Sequence, residues 1–150
     1  MKNRKWLPHI VATGLLAVFV VLGLACASGP NPPVAIAPPH TFQAGEGGEV
    51  TILLRQGLDF DRAFREVAHV LILHDFNNDV VHSAIGYLRT EWRFTGVGYR
   101  TRVIAHFNPA QTQLIVNVQA EFLQGETWIR GHDAEAAELL RNDLTMIVGN

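Results

Sequence analysis

The sequence predicts an α+β fold over residues 49–150: a two-layer domain in which an antiparallel sheet of about four to five strands carries two helices packed on one face. Three observations predict it. Two segments, around Phe60–Leu71 and Ala136–Ile147, place apolar residues at helical spacing. The stretches Tyr87–Phe94, Tyr99–Phe107 and Leu114–Phe122 alternate apolar with polar residues, the pattern of half-buried antiparallel strands. One helix precedes these strands and the other follows them, so both are free to cover the apolar face of a single sheet.

The elements follow in order. Val50 to Arg55 reads as a strand, although Ile52-Leu53-Leu54 does not alternate cleanly. Asp59 or Asp61 caps a helix whose Phe60, Phe64, Val67 and Leu71 share one face, and which ends near His74, before the turn-rich Asp75 to Asp79. A short strand follows at Asn78 to His82. In the next strand Leu88, Thr90, Trp92 and Phe94 point inward, Trp92 as a core residue, and Arg89, Glu91 and Arg93 point outward. Thr101, Val103, Ala105 and Phe107 continue the inward row against Arg100 and Arg102. Asn108-Pro109-Ala110-Gln111 makes a turn, and Leu114, Val116, Val118, Ala120 and Phe122 complete the apolar face. The last helix starts at His132 or Asp133, buries Ala136, Leu140, Leu144 and Ile147, and stops at Gly149.

The N-terminal third is organised differently. Lys2, Arg4 and Lys5 precede an uncharged run from Ile10 to Ala25 that ends in small residues, the layout of an export signal. The run is shorter than the roughly 20 apolar residues a membrane-spanning helix needs. Ala25-Cys26 at its end resembles a bacterial lipoprotein signal, with Gly23 where the family's lipobox usually has Leu. The resemblance implies residues 1–25 as signal peptide and Cys26 as the lipidated residue. Two other outcomes stay open: ordinary signal-peptidase cleavage after Ala27, and an uncleaved anchor. Lipidation is the chemically favoured one, because a lone free thiol is a liability in an oxidising compartment and a thioether is not. By the sorting rule of many Gram-negative lipoproteins, Ala27 after the cysteine points to the outer membrane. Residues 26–48 then form the lipidated end and a flexible tether, with prolines at 30, 32, 33, 38 and 39 favouring extended polyproline II.

Composition narrows the function classes. The chain of 150 residues is 48% hydrophobic and only 17% charged, with formal charge −2. Removing the signal takes away three cations and leaves nine arginines against 14 acids, a formal −5, which argues against a nucleic-acid partner. One cysteine makes neither an internal disulfide nor a multi-cysteine zinc site. Asp75-x-Asn77-x-Asp79 opens like a calcium loop, but Val80 and Gly86 stand where that loop needs Gly and a bidentate Glu. His69 and His74 do not share a helix face, and His82, His106 and His132 belong to separate elements. Ser83 has no nucleophile elbow around it, and Gly45-Glu46-Gly47-Gly48 lacks the Lys and Ser/Thr of a phosphate loop. No catalytic residue, metal ligand or cofactor is predicted.

A wider resemblance rests on Gly86-x-Leu88-x-Thr90-Glu91-Trp92, on Tyr99-Arg100-x-Arg102-Val103, on the Leu114–Val118 strand and on the helices that flank them. These resemble the helix-grip domains of BamC (NlpB), a lipoprotein of the outer-membrane β-barrel assembly machinery. Family members carry two such domains and a long docking segment; this chain has one domain and a short tether. The resemblance implies a non-enzymatic module anchored in the outer membrane, facing the periplasm and contacting an envelope protein partner. Arg89, Arg93, Arg100, Arg102 and Trp128 are the candidate partner surface. The alternative is a small-ligand or lipid-binding protein that uses the groove between helix and sheet.

Overall fold

A computed structural model describes residues 37–150, so Cys26, the signal segment and residues 27–36 lie outside the described residues. The architecture is α+β, an open antiparallel sheet with two helices on one face, as predicted, but the sheet has eight strands rather than four to five. Its spine is the pair β6 (Tyr99–Phe107) and β7 (Gln113–Gln124), in register from Tyr99↔Phe122 to Phe107↔Leu114. The far edge of β7 is shared end to end by β2 (Glu49–Leu53), which pairs with residues 113–117, and β8 (Thr127–Asp133), which pairs with residues 119–124. On the other side β6 is shared by β4 (Tyr87–Thr90) and β5 (Arg93–Phe94). β3 (Asn78–His82) and β1 (Phe42–Ala44) form the two margins.

Strict alternation sends Val103, Ala105, Phe107, Leu114, Val116 and Val118 to one face, where they meet α1 (Phe60–Leu73) and α2 (Ala134–Val148). Helix α1 starts where Asp59 accepts a hydrogen bond from Arg62 N at 2.7 Å, and buries Ala63, Phe64, Val67, Val70 and Leu71. Helix α2 buries Ala137, Leu140, Leu144 and Val148. Leu140 and Leu144 are buried as expected, but Ala137 and Val148 take the places expected of Ala136, which is partly buried, and Ile147, which is 39% exposed. A 2.7 Å bond between His74 and Asp143 ties the two helices. The interface is filled: Val67, Leu71, Leu88, Val103, Leu114, Val118, Leu140 and Leu144 are all between 0% and 1% exposed. Each such side chain contributes about 1.5–3 kcal/mol by burial.

Three strands depart from the expected set. β8 and β1 are additional, and β1 moves the folded boundary back from Glu49 into the segment expected to be tether. Phe42 packs edge-on to Tyr99 and against Phe122, each at 6.1 Å between ring centres. The third departure is a break in the strand expected to run unbroken from Tyr87 to Phe94. Arg89 lies opposite Ile104, and Arg93 opposite Thr101. Four steps on one strand against three on the other mean one extra residue, a β-bulge, and a one-residue slip exchanges the two faces. Thr90 fills the bulge by accepting Val103 N at 2.9 Å, while Glu91 N donates to Asn77 O at 2.8 Å. Beyond the bulge Trp92 and Phe94 face outward and Arg93 inward, the reverse of the expected arrangement. Arg93 covers the buried Phe76 ring at 4.1 Å and donates to His74 O at 2.7 Å, supplying the cation that the C-terminal end of α1 otherwise lacks.

Asp133 fastens the other end of the sheet. Its Oδ1 caps α2 by accepting Ala136 N at 3.0 Å, and its Oδ2 accepts the Tyr99 hydroxyl at 2.8 Å and Thr41 Oγ1 at 3.4 Å. Burial first, and the neighbouring carboxylate second, raise the pKa of the Tyr99 phenol above its ordinary value of 10.0. The unfolded chain then releases this proton before the folded one, so stability falls as pH rises above 10. The slope is about 1.4 kcal/mol per pH unit. Urea unfolding of wild type and Tyr99→Phe across this range will show the slope reduced in the variant. At neutral pH, Asp133→Ala will cost about 2–4 kcal/mol, from a lost cap and two orphaned hydroxyls, whereas Asp133→Asn, which preserves the cap, will cost less in the same assay.

Candidate functional site on the open face of the sheet

With both helices on one face, the other face of β6, β7 and β8 is left uncovered. Cross-strand register arranges its side chains in rows. Arg100, Glu121 and Arg130 lie side by side, and Arg102, Gln119 and His132 form the next row. Because the bulge turns Trp92 outward, its indole enters this array between two arginines. The Arg100 guanidinium lies 4.1 Å from the Trp128 ring centre and 4.7 Å from that of Trp92, and the Arg102 guanidinium lies 4.4 Å from Trp92. The result is an alternating ladder, Trp128, Arg100, Trp92, Arg102, held by cation–π contacts of about 0.5–2 kcal/mol each.

The two arginines differ in how their charge is met. Arg100 binds Glu121 through two nitrogens, its Nε at 2.8 Å, and Glu121 also lies 3.7 Å from Arg130. Arg102 donates its Nε to Gln119 Oε1 at 2.8 Å, a neutral acceptor. Among the described residues no carboxylate comes within salt-bridge distance of it. Burial first, and the charge of Arg89 second, lower its pKa by disfavouring the cation.

Beside Arg102 the face sinks into a cavity of about 780 Å³, lined in part by Glu46, Glu49, Trp92, Arg102, Asn117 and Gln119. Asn117 Oδ1 is buried here with no hydrogen-bond partner among the described residues. One wall is the glycine-rich turn 45–48, which crosses the join between β2 and β8. Gly48 has φ +71° and passes so close to β7 that a Cβ would stand 2.6 Å from Val118 O. Only glycine fits there.

Of the predicted partner-surface residues, Arg89, Arg100, Arg102 and Trp128 share this face, Arg89 at its edge in an ion pair with Asp79, Nη2 to Oδ2 at 2.6 Å. Arg93 does not belong to it and serves the helix side. Cys26, the predicted lipidation site, lies outside the described residues. Sequence reasoning missed Trp92, which reads as core because the alternation runs through the bulge. It also missed Asn117 and Gln119, which read as ordinary outward positions of a strand. The one available signal was that Gln119, opposite Arg102, is neutral where Glu121, opposite Arg100, is charged. Among the described residues no three His, Cys, Asp or Glu side chains converge where a metal ion could be held.

Arg100→Met leaves Glu121 with only the 3.7 Å contact to the exposed Arg130. The expected loss is about 1–3 kcal/mol in urea unfolding, and adding Glu121→Gln will recover part of it, since the orphaned charge is then gone.

No protein-family model and no curated protein matches this chain.

Proposed function

We propose that the chain is a lipoprotein of the bacterial outer membrane, attached through Cys26, whose periplasmic domain is a non-enzymatic interaction module in an envelope complex. In this reading the domain is helix-grip-like, its two helices held against one sheet face, and its work resembles that of the barrel-assembly lipoproteins. The observation that carries it is the chemistry left exposed at one end of the open face. Trp128 of the ladder lies beside Arg130, and Phe94 and Val97 are 63% and 78% exposed in the adjoining β5–β6 hairpin. Tryptophan and arginine anchors ringed by exposed apolar groups are the residues that dominate protein interfaces.

The helix–sheet groove has less in its favour as a ligand site, because that interface is filled by side chains. The cavities described lie on the open face and at the outer edge between β2 and α2. Anchoring acts by concentration: acyl chains and a proline-rich tether hold the module near membrane partners, raising its effective concentration there.

Cys26→Ala will abolish palmitate labelling and move the protein from the membrane to the soluble fraction; retention in the membrane overturns the anchor. Crosslinking in intact envelope will yield an adduct that depends on the open face. Trp128→Ala and Phe94→Ser, at constant protein level, will reduce that adduct about tenfold or more, the loss of one hot-spot anchor. A crosslinking pattern unchanged by both substitutions overturns the assignment of this surface.

A further inference from the structure

The cavity beside Arg102 has a chemistry of its own, separate from the apolar end of the face. Its floor offers a guanidinium that has no carboxylate partner among the described residues, stacked on Trp92 and held at Nε by Gln119. Next to it, Asn117 Oδ1 is a buried acceptor with no donor among the described residues. These two groups ask for opposite things. Arg102 calls for an anionic acceptor, best a planar carboxylate matching its fork, and Asn117 Oδ1 calls for an N–H or O–H donor.

The rim restricts the ligand further. Glu121 and Arg130 also line the cavity, but Glu121 is engaged by Arg100 and lies 3.7 Å from Arg130, whereas Glu46 and Glu49 line it as exposed carboxylates. They disfavour any ligand with a second negative charge and leave neutral hydroxyls free to hydrogen-bond with them. The floor is made by strands β6 and β7, whose backbones are already paired with each other, so a peptide cannot add here as a further strand. Apart from Trp92, glycines and Ala120, the lining side chains are charged or amide, which leaves little apolar surface to seat peptide side chains. A volume of about 780 Å³ suits a ligand of one or two rings.

The geometry points to a binding site for a monoanionic saccharide, a sugar bearing one carboxylate for Arg102 and a neighbouring acetamido or hydroxyl donor for Asn117. This site goes beyond the interaction role proposed above and depends neither on membrane attachment nor on a protein partner.

Of the two tryptophans in the described region, Trp92 lines this cavity, and Trp128 joins it through Arg100, which stacks between the two rings. Intrinsic fluorescence of the full chain carrying Trp6→Phe therefore reports on it. The probes are N-acetylmuramic acid and N-acetylglucosamine, the same ring with and without a carboxylate, with acetate as a bare carboxylate and the dipeptide Ala-Ala as a peptide terminus.

N-acetylmuramic acid is expected to give a saturable change, with N-acetylglucosamine and acetate each weaker by about tenfold or more, the equivalent of a lost charge-assisted hydrogen bond. Arg102→Gln will weaken binding by a similar factor. Asn117→Asp retains the side-chain shape but sets a carboxylate against the ligand, beside Arg102 and across from Glu49, and will abolish binding under conditions where urea unfolding shows the variant folded. No saturation by N-acetylmuramic acid below about 10 mM overturns the site. So does equal binding of acetate or Ala-Ala, or wild-type affinity in either variant. A failed membrane-release or crosslinking experiment leaves these outcomes untouched.

Discussion

The single extra residue between Arg89 and Arg93 decides what both faces of this sheet become. Without it, Trp92 and Phe94 would continue the inward row set by Leu88 and Thr90, and Arg93 would face solvent. With it, Arg93 reaches under α1, covers Phe76 and binds the last carbonyl region of the helix at His74. Trp92 moves to the open face and separates Arg100 from Arg102. Two cations two residues apart on one strand face would otherwise repel each other across a few ångströms; an indole between them turns that repulsion into two attractive contacts. The bulge is itself secured by ordinary means. The Thr90 hydroxyl accepts Val103 N and Asn77 O accepts Glu91 N, so the break in the ladder orphans neither donor.

Asp133 plays the complementary part at the opposite margin. It is the last residue of β8 and the cap of α2, so the direction of the helix is set by the position of the sheet. Through Tyr99 and Thr41 it also holds the start of β6 and the chain entering β1. β1 is only three residues long and pairs with β8 alone, yet Phe42 closes the small apolar cluster of Tyr99, Ala120 and Phe122. The polypeptide then enters β2 through the glycine-rich turn 45–48, which makes one wall of the cavity. The position of the site thus follows from one carboxylate and one aromatic ring at the sheet margin.

Much of this was legible in the sequence, for physical reasons that also explain the gaps. Helix α1 announces itself because Asp59 caps it and its apolar residues recur at helical spacing, both local properties. β6 and β7 are legible because each is buried on one face over its whole length. β8 is not, since Trp128, Ile129, Arg130, Gly131 and His132 follow no alternation: the strand pairs with β7 over residues 127–132, and β1 covers its outer edge only at residues 131–133. The bulge is hidden by a pattern that looks regular on both sides of it. Trp92 and Phe94 have the composition of core residues, and only a tertiary arrangement, arginines waiting on the other face, makes an outward position acceptable for them. Trp128 and the arginines of the open face were visible as candidates. Asn117 and Gln119 were not, because an amide on the polar side of a strand is the commonest case of a solvated residue, and only the cavity over it distinguishes this one.

The energetics of the ladder bear on what the open face is for. A long arginine side chain on a surface normally keeps most of its rotamer freedom, and a partner that captures it must pay for ordering it. Here Arg100 and Arg102 are ordered in advance by stacking and by side-chain hydrogen bonds, so contact with them carries a smaller entropic cost. Stability alone would account for Arg100, whose charge is met by Glu121. It accounts less well for Arg102, whose direct side-chain acceptor among the described residues is the Gln119 amide oxygen and whose cation is disfavoured by burial and by Arg89 more than the charge of Glu121 supports it. A neutral residue at that position would stack on Trp92 without the desolvation and without the repulsion. Stacking on Trp92 and the bond to Gln119 hold this cation in place without a carboxylate on it, and a cation so fixed beside a buried acceptor that has no partner among the described residues is a preorganised recognition element.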